Sequence, residues 1–121
     1  MLAKDLPIYK VTYELLEKVT KLTKNYRKDL KQNLGNKIVD NCTELVLNIY
    51  RANSTKQLEK RRKYIHQLFE NLQVLELSIK LSYDLQLISP KQHGEIVELT
   101  DNIGRQARGW LKNSYKKSQN V

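Results

Sequence analysis

The chain has 121 residues, enough for one domain, with 22 Lys and Arg against 13 Asp and Glu and a formal charge of +9. Two Pro and four Gly leave little material for a turn-rich β architecture, and a single cysteine, Cys42, excludes an intrachain disulfide or a cysteine-based zinc cluster. No apolar run approaches the roughly 18 residues of a membrane span, and the start lacks the apolar core of a signal peptide. A cytoplasmic protein with no membrane partner is therefore expected, and its isoelectric point near 9.7 points to polyanionic partners.

Period and punctuation predict four helices, over about 5–25, 32–52, 55–87 and 90–114, with a polar tail at 117–121. In the first, Asp5 stands as N-cap, Pro7 is tolerated in the first turn, and Ile8, Val11, Leu15, Val19 and Leu22 recur at steps of three and four. Lys10, Glu14, Glu17, Lys21, Lys24 and Lys28 fall opposite. A polar stretch over 25–32 leads to the second helix, whose stripe is Leu34, Ile38, Cys42, Leu45 and Ile49, widened by Val39, Val46 and Tyr50. Gly35 near its start costs about 1 kcal/mol relative to Ala.

A break at 52–55 offers Ser54 and Gln57 at capping-box spacing. The third helix is long, roughly 48 Å. Ser89-Pro90-Lys91-Gln92 then supplies an N-cap, a Pro at the first helical position and a Gln that can return to the cap. Ile96, Leu99, Ile103, Ala107 and Trp110 face inward on the fourth helix. Short connections make neighbours antiparallel, so the expected fold is all-α, one antiparallel up-down four-helix bundle over residues 1–121.

Three features exceed what a core needs. On the third helix Ile65, Leu68, Leu72, Leu75 and Ile79 form one apolar stripe, and Val74, Leu77, Leu81 and Leu85 form a second, well over 90° away. The second stripe is a candidate oligomer interface. On the fourth helix Arg105, Arg108, Lys112 and Lys116 span about 80° opposite the inward residues. Glu98 and Asp101 precede them on that face, an order that also complements the helix dipole.

Lys60-Arg61-Arg62-Lys63 is the densest charge run, but four consecutive helical residues spread over about 300°, so two or three at most face one partner. With Lys18, Lys21, Lys24 and Lys28, these cations favour polyanion binding over charge kept for solubility alone. Seven Tyr are available to stack on bases, although Tyr9, Tyr13, Tyr64 and Tyr83 are expected to line the bundle or its edges.

Catalytic signals are missing. His66 and His93 are isolated, the paired Glu-x-x-His pattern of di-iron bundles is absent, and Cys42 sits on an apolar stripe as a small core residue. No phosphate-binding loop or nucleophile elbow occurs. The chain is read as a non-enzyme with no cofactor and no metal.

Five segments carry a resemblance. They are Leu6-Pro7-Ile8-Tyr9-Lys10, Leu34-Gly35-Asn36-Lys37-Ile38, Asn48-Ile49-Tyr50-Arg51-Ala52-Asn53, Leu87-Ile88-Ser89-Pro90-Lys91-Gln92 and the stretch from Ile103-Gly104-Arg105 through Gly109-Trp110-Leu111-Lys112. In this order they resemble the four-helix-bundle accessory proteins of diversity-generating retroelements, the accessory variability determinants (Avd). That family is related to bundle proteins encoded in intervening sequences of bacterial 23S ribosomal RNA genes. The Arg-Ala-Asn ending of the second helix favours the retroelement branch, since the ribosomal-insertion branch more typically ends in Glu-Gly.

The resemblance implies a homopentameric barrel of bundles that binds the retroelement's reverse transcriptase and its template RNA during mutagenic cDNA synthesis. Arg51, Arg105 and Lys112 stand where the family is commonly basic. Lys80 occupies a position that is often Arg, a change that weakens any bidentate phosphate contact. Gly104 and Gly109 match family glycines, with the expected role of letting neighbouring helices approach Trp110.

The expectation is thus a non-catalytic accessory protein. It would bind reverse transcriptase and RNA or DNA through Arg51, Lys60, Arg61, Arg62, Lys63, Lys80, Arg105, Arg108, Lys112 and Lys116. It would self-associate through Val74, Leu77, Leu81 and Leu85. The alternative is a ribosomal-insertion bundle acting as a structural or protein-interaction module.

Overall fold

The computed structural model describes residues 1–119, with side chains through Tyr115, and among them it is helical without a strand. A 3-10 turn at Ala3–Asp5 precedes α1, Pro7–Thr23. The second long helix, α2, joins three pieces: Lys28–Leu30, a π-helical turn at Lys31–Gly35, and Asn36–Ser54. Both junctions stay in right-handed helical backbone, so the pieces run on as one rod. α3 spans Leu58–Asp84 and α4 spans Pro90–Gln119.

Each helix packs on two others, α1 and α3 both lying between α2 and α4. Cross-helix contacts show the antiparallel sense. Tyr9 near the start of α1 meets Tyr50 near the end of α2, and Arg62 at the start of α3 bonds the Ser114 carbonyl late in α4. The inward stripes meet in one core, where Leu15, Leu45, Ile49, Leu68, Leu75 and Ile103 expose no surface. Burying each such side chain contributes about 1.5–3 kcal/mol. At the edge of this core a part-buried polar pair ties two helices: the Asn48 amide on α2 donates to Asn71 Oδ1 on α3 at 2.9 Å. No described helix is long and apolar enough to cross a membrane.

Two of the expected caps are not made. Leu6, not Asp5, is the N-cap of α1, and it has no side-chain cap bond. Pro7 explains this, because a residue before proline is pushed out of the helical region, and Leu6 is extended at φ −74, ψ 135. Ser54 is still helical and donates to the Tyr50 carbonyl at 2.6 Å, while the N-cap of α3 is Gln57, again without a side-chain bond. The corner is closed from farther away. Arg61 donates through Nε to the Ala52 carbonyl at 2.9 Å and through its terminal nitrogen to the Thr55 carbonyl at 2.8 Å. A cation on the last carbonyls of a helix satisfies orphan acceptors and complements the dipole.

The Ser89–Gln92 box does form, with the Gln92 N–H donating to Ser89 Oγ at 3.1 Å and the Ser89 N–H to Gln92 Oε1 at 2.8 Å. α3 stops at Asp84, short of Leu87, because Gln86 turns left-handed at φ 61. The Leu87 N–H then closes on the Ser82 carbonyl at 2.9 Å, a Schellman ending. α2 starts at Lys28, earlier than apolar spacing indicates, since its first turns are solvent-facing and carry no stripe. Gly35 is buried at the α1–α2 corner, where an added Cβ would lie 3.4 Å from Thr23 Cβ.

Candidate nucleic-acid interface

Antiparallel packing brings three basic segments, far apart in sequence, to one end of the bundle. The end of α2 supplies Arg51, the first turns of α3 supply Lys60 to Lys63, and the late turns of α4 supply Lys112. Arg51, Lys60, Lys63, Arg108 and Lys112 are all exposed. Arg51 is aimed by neighbours on its own helix, donating to Asn48 Oδ1 at 3.2 Å and Glu44 Oε2 at 3.4 Å. Asn48 is itself held by Asn71, so the amide pair that ties α2 to α3 also orients this guanidinium.

Arg61 and Arg62 serve the bundle. Arg61 caps α2 as described. Arg62 donates to the Ser114 carbonyl at 3.4 Å and lies over the Tyr115 ring, 4.7 Å from its centroid, clasping the start of α3 to the late part of α4. Such a cation–π contact contributes about 0.5–1 kcal/mol at an exposed site.

Arg105 and Arg108 border a groove of about 340 Å³ between α3 and α4, floored by Leu72 and Gly104. A Cβ on Gly104 would come 3.3 Å from a terminal nitrogen of Arg108 and 3.7 Å from Leu72 Cδ2, so the missing side chain makes room for that guanidinium. Glu76 and Asp101 face each other in the same groove, and partial burial together with the Asp101 charge raises the Glu76 carboxyl above its ordinary value.

Gly109 has nothing within 4 Å of an added Cβ, and neither glycine serves close approach to Trp110. Gly109→Ala is therefore expected to stabilise the fold by about 0.5–1 kcal/mol through helix propensity alone, read as a higher urea midpoint at unchanged slope.

Other cations lie elsewhere. Lys80 sits near the far end of α3, roughly 27 Å along the axis from Arg62, and pairs with Asp84 at 3.1 Å. Lys18 pairs with Glu95, holding that carboxyl below the usual range, and shares an α1–α4 groove with Glu14, Glu17 and Lys21. Lys18 and Lys21 therefore stand among carboxylates, outside the basic end. The side chain of Lys116 lies outside the described residues. Burial raises the Cys42 thiol to about 12, which leaves it protonated and unreactive at neutral pH.

The second apolar stripe of α3 faces solvent. Leu77 is 69 % exposed, and Val74 and Leu81 are exposed beside it, opposite the buried Leu72, Leu75 and Ile79, with Leu85 exposed just past the end of α3.

This helical arrangement agrees with a direct family match: the bAvd-like family covers residues 6–114. The chain belongs to the bAvd-like family. No curated protein matches it. In this bAvd-like chain the Asn-Ile-Tyr-Arg-Ala-Asn segment acquires a physical reading. Asn48 crosses to α3, Arg51 leans on Asn48, the Ala52 carbonyl receives Arg61, and Asn53 Nδ2 donates to the Met1 carbonyl at 3.0 Å.

Reasoning from sequence missed one local feature of this end. Tyr50, Arg51, Lys60 and Tyr64 line a groove of about 390 Å³ over the α2–α3 corner. Tyr50 and Tyr64 read as stripe-widening and edge residues, and helical period alone does not say that they share a groove with two cations.

Proposed function

We propose that this bAvd-like protein is a non-catalytic accessory protein of a diversity-generating retroelement. It binds the reverse transcriptase and its nucleic acid through the basic end of the bundle. The observation that carries the reading is the convergence of Arg51, Lys60, Lys63 and Lys112 on that end, continued along the α3–α4 groove by Arg105 and Arg108, while several carboxylates are drawn into the α1–α4 groove. Phosphates are recognised there by charge, without base-specific hydrogen bonding. Family membership over residues 6–114 supports the retroelement role.

The test is RNA affinity as a function of salt. If these six cations each neutralise one phosphate of a single strand, log K falls linearly with log salt at a slope of about −4.2. A flat curve, or no binding at low salt, would overturn the nucleic-acid part.

The exposed stripe Val74, Leu77, Leu81 and Leu85 supports self-association, and the family resemblance favours a homopentamer. Light scattering should then report five times the 14.3 kDa chain mass. A species of 14.3 kDa at micromolar concentration excludes it.

A further inference from the structure

The cations explain attraction to any polyanion, but not the aromatic surface beside them. Tyr50 is 42 % exposed near the end of α2, and its ring meets Tyr9 edge-on with centroids 5.5 Å apart. Tyr9 in turn stacks on Tyr13, centroids 6.1 Å apart and planes 24° from parallel, and Tyr13 is 47 % exposed. The rings thus form a row along the surface from α2 onto α1. On its other side Tyr50 walls the 390 Å³ groove that also holds Tyr64, Arg51 and Lys60. Tyrosines held against other tyrosines, with nearly half of two of them left in water, leave apolar ring surface available to a ligand.

We propose that the Tyr13–Tyr9–Tyr50 row and the adjoining Tyr50–Tyr64 groove form a stacking track for unpaired bases, so that the nucleic acid bound here is single-stranded. The inference rests on the nucleic-acid reading above and adds to it the strandedness of the ligand and the place of base contact. A duplex hides the faces of its bases, and only a single strand can lay them on aromatic rings. Arg51 and Lys60 stand at the groove to take the phosphates of the same strand. Ring centroids 5.5 and 6.1 Å apart leave no gap for a base between them, so bases lie against the outer faces of the row. Stacking is tolerant of base identity, which fits a site without a hydrogen-bonding code.

The experiment is fluorescence anisotropy on the full chain with a labelled single-stranded RNA of about 12 nucleotides and with the blunt duplex of the same sequence. The single strand is expected to bind more tightly than the duplex. Tyr50→Leu and Tyr13→Leu should each weaken single-strand binding on the order of tenfold, at unchanged salt slope and unchanged duplex affinity. Tyr50→Phe, which keeps the ring, should bind as the parent does. Because Tyr13 is the more exposed ring, Tyr13→Leu keeps the test valid should Tyr50→Leu perturb the corner. Equal affinity for the two probes, or single-strand binding indifferent to both leucine variants, overturns the track while leaving the nucleic-acid reading intact. Failure of both probes to bind at low salt overturns the track and the nucleic-acid reading together.

Discussion

Reversing Arg105, Arg108 and Lys112 to Glu together lowers RNA affinity by at least about a hundredfold at 0.1 M salt, with the helical circular dichroism unchanged. Each phosphate contact to a single strand contributes about 0.7 to the salt slope, so at 0.1 M three lost contacts remove about two powers of ten. The introduced carboxylates then add repulsion. All three side chains are exposed, and none of them caps a helix or enters the core. The fold is therefore expected to persist, with a small cost from the relaxation of Arg108 over Gly104 and from repulsion with Glu76 and Asp101 in the same groove. The salt slope should become shallower by about 2. Retention of full affinity would place the phosphate contacts elsewhere, with Arg51, Lys60 and Lys63 next to be tested.

Leu68→Ala is expected to cost about 3–5 kcal/mol. Leu68 lies wholly buried on α3, the helix that packs on both α2 and α4. Its truncation removes transfer energy and leaves a cavity that the neighbouring helices can close only in part. Against a total stability of order 5–15 kcal/mol, this is about a fifth or more of what holds the bundle folded. A thermal midpoint lower by roughly 10 °C or more should follow. Leu77→Ala on the same helix is the control. Leu77 is 69 % exposed, so its loss should move subunit stability by less than about 0.5 kcal/mol and act on the oligomer mass instead. Both variants need comparison at one protein concentration, since association shifts apparent stability by mass action. A cost under about 1 kcal/mol for Leu68→Ala would contradict its place in the core.

Much of the scaffold was legible in the sequence because it is written in local period. Leu15, Leu45, Ile49, Leu68 and Ile103 recur at helical spacing, and they are the residues that meet in the centre. The Ser89–Gln92 box could be read for the same reason, as both of its bonds lie within four residues. Asp5 and Ser54 misled, each through a nearby competitor. Pro7 moved the cap to Leu6, and Arg61 reached back nine residues to do what a capping serine would have done. Gln86 ended α3 early through a left-handed turn that no glycine announced.

The charge of +9 over 121 residues was the sequence's to determine, as were the helical class and the four inward faces. Those properties depend on composition and on neighbours three or four positions apart. Which cations share a surface was not, because that depends on contacts between residues dozens of positions apart. Only the antiparallel packing joins Arg51, Lys60, Lys63 and Lys112 at one end, sends Lys80 to the other, commits Arg61 to a helix terminus, and sets Tyr50 between a tyrosine row and a basic groove.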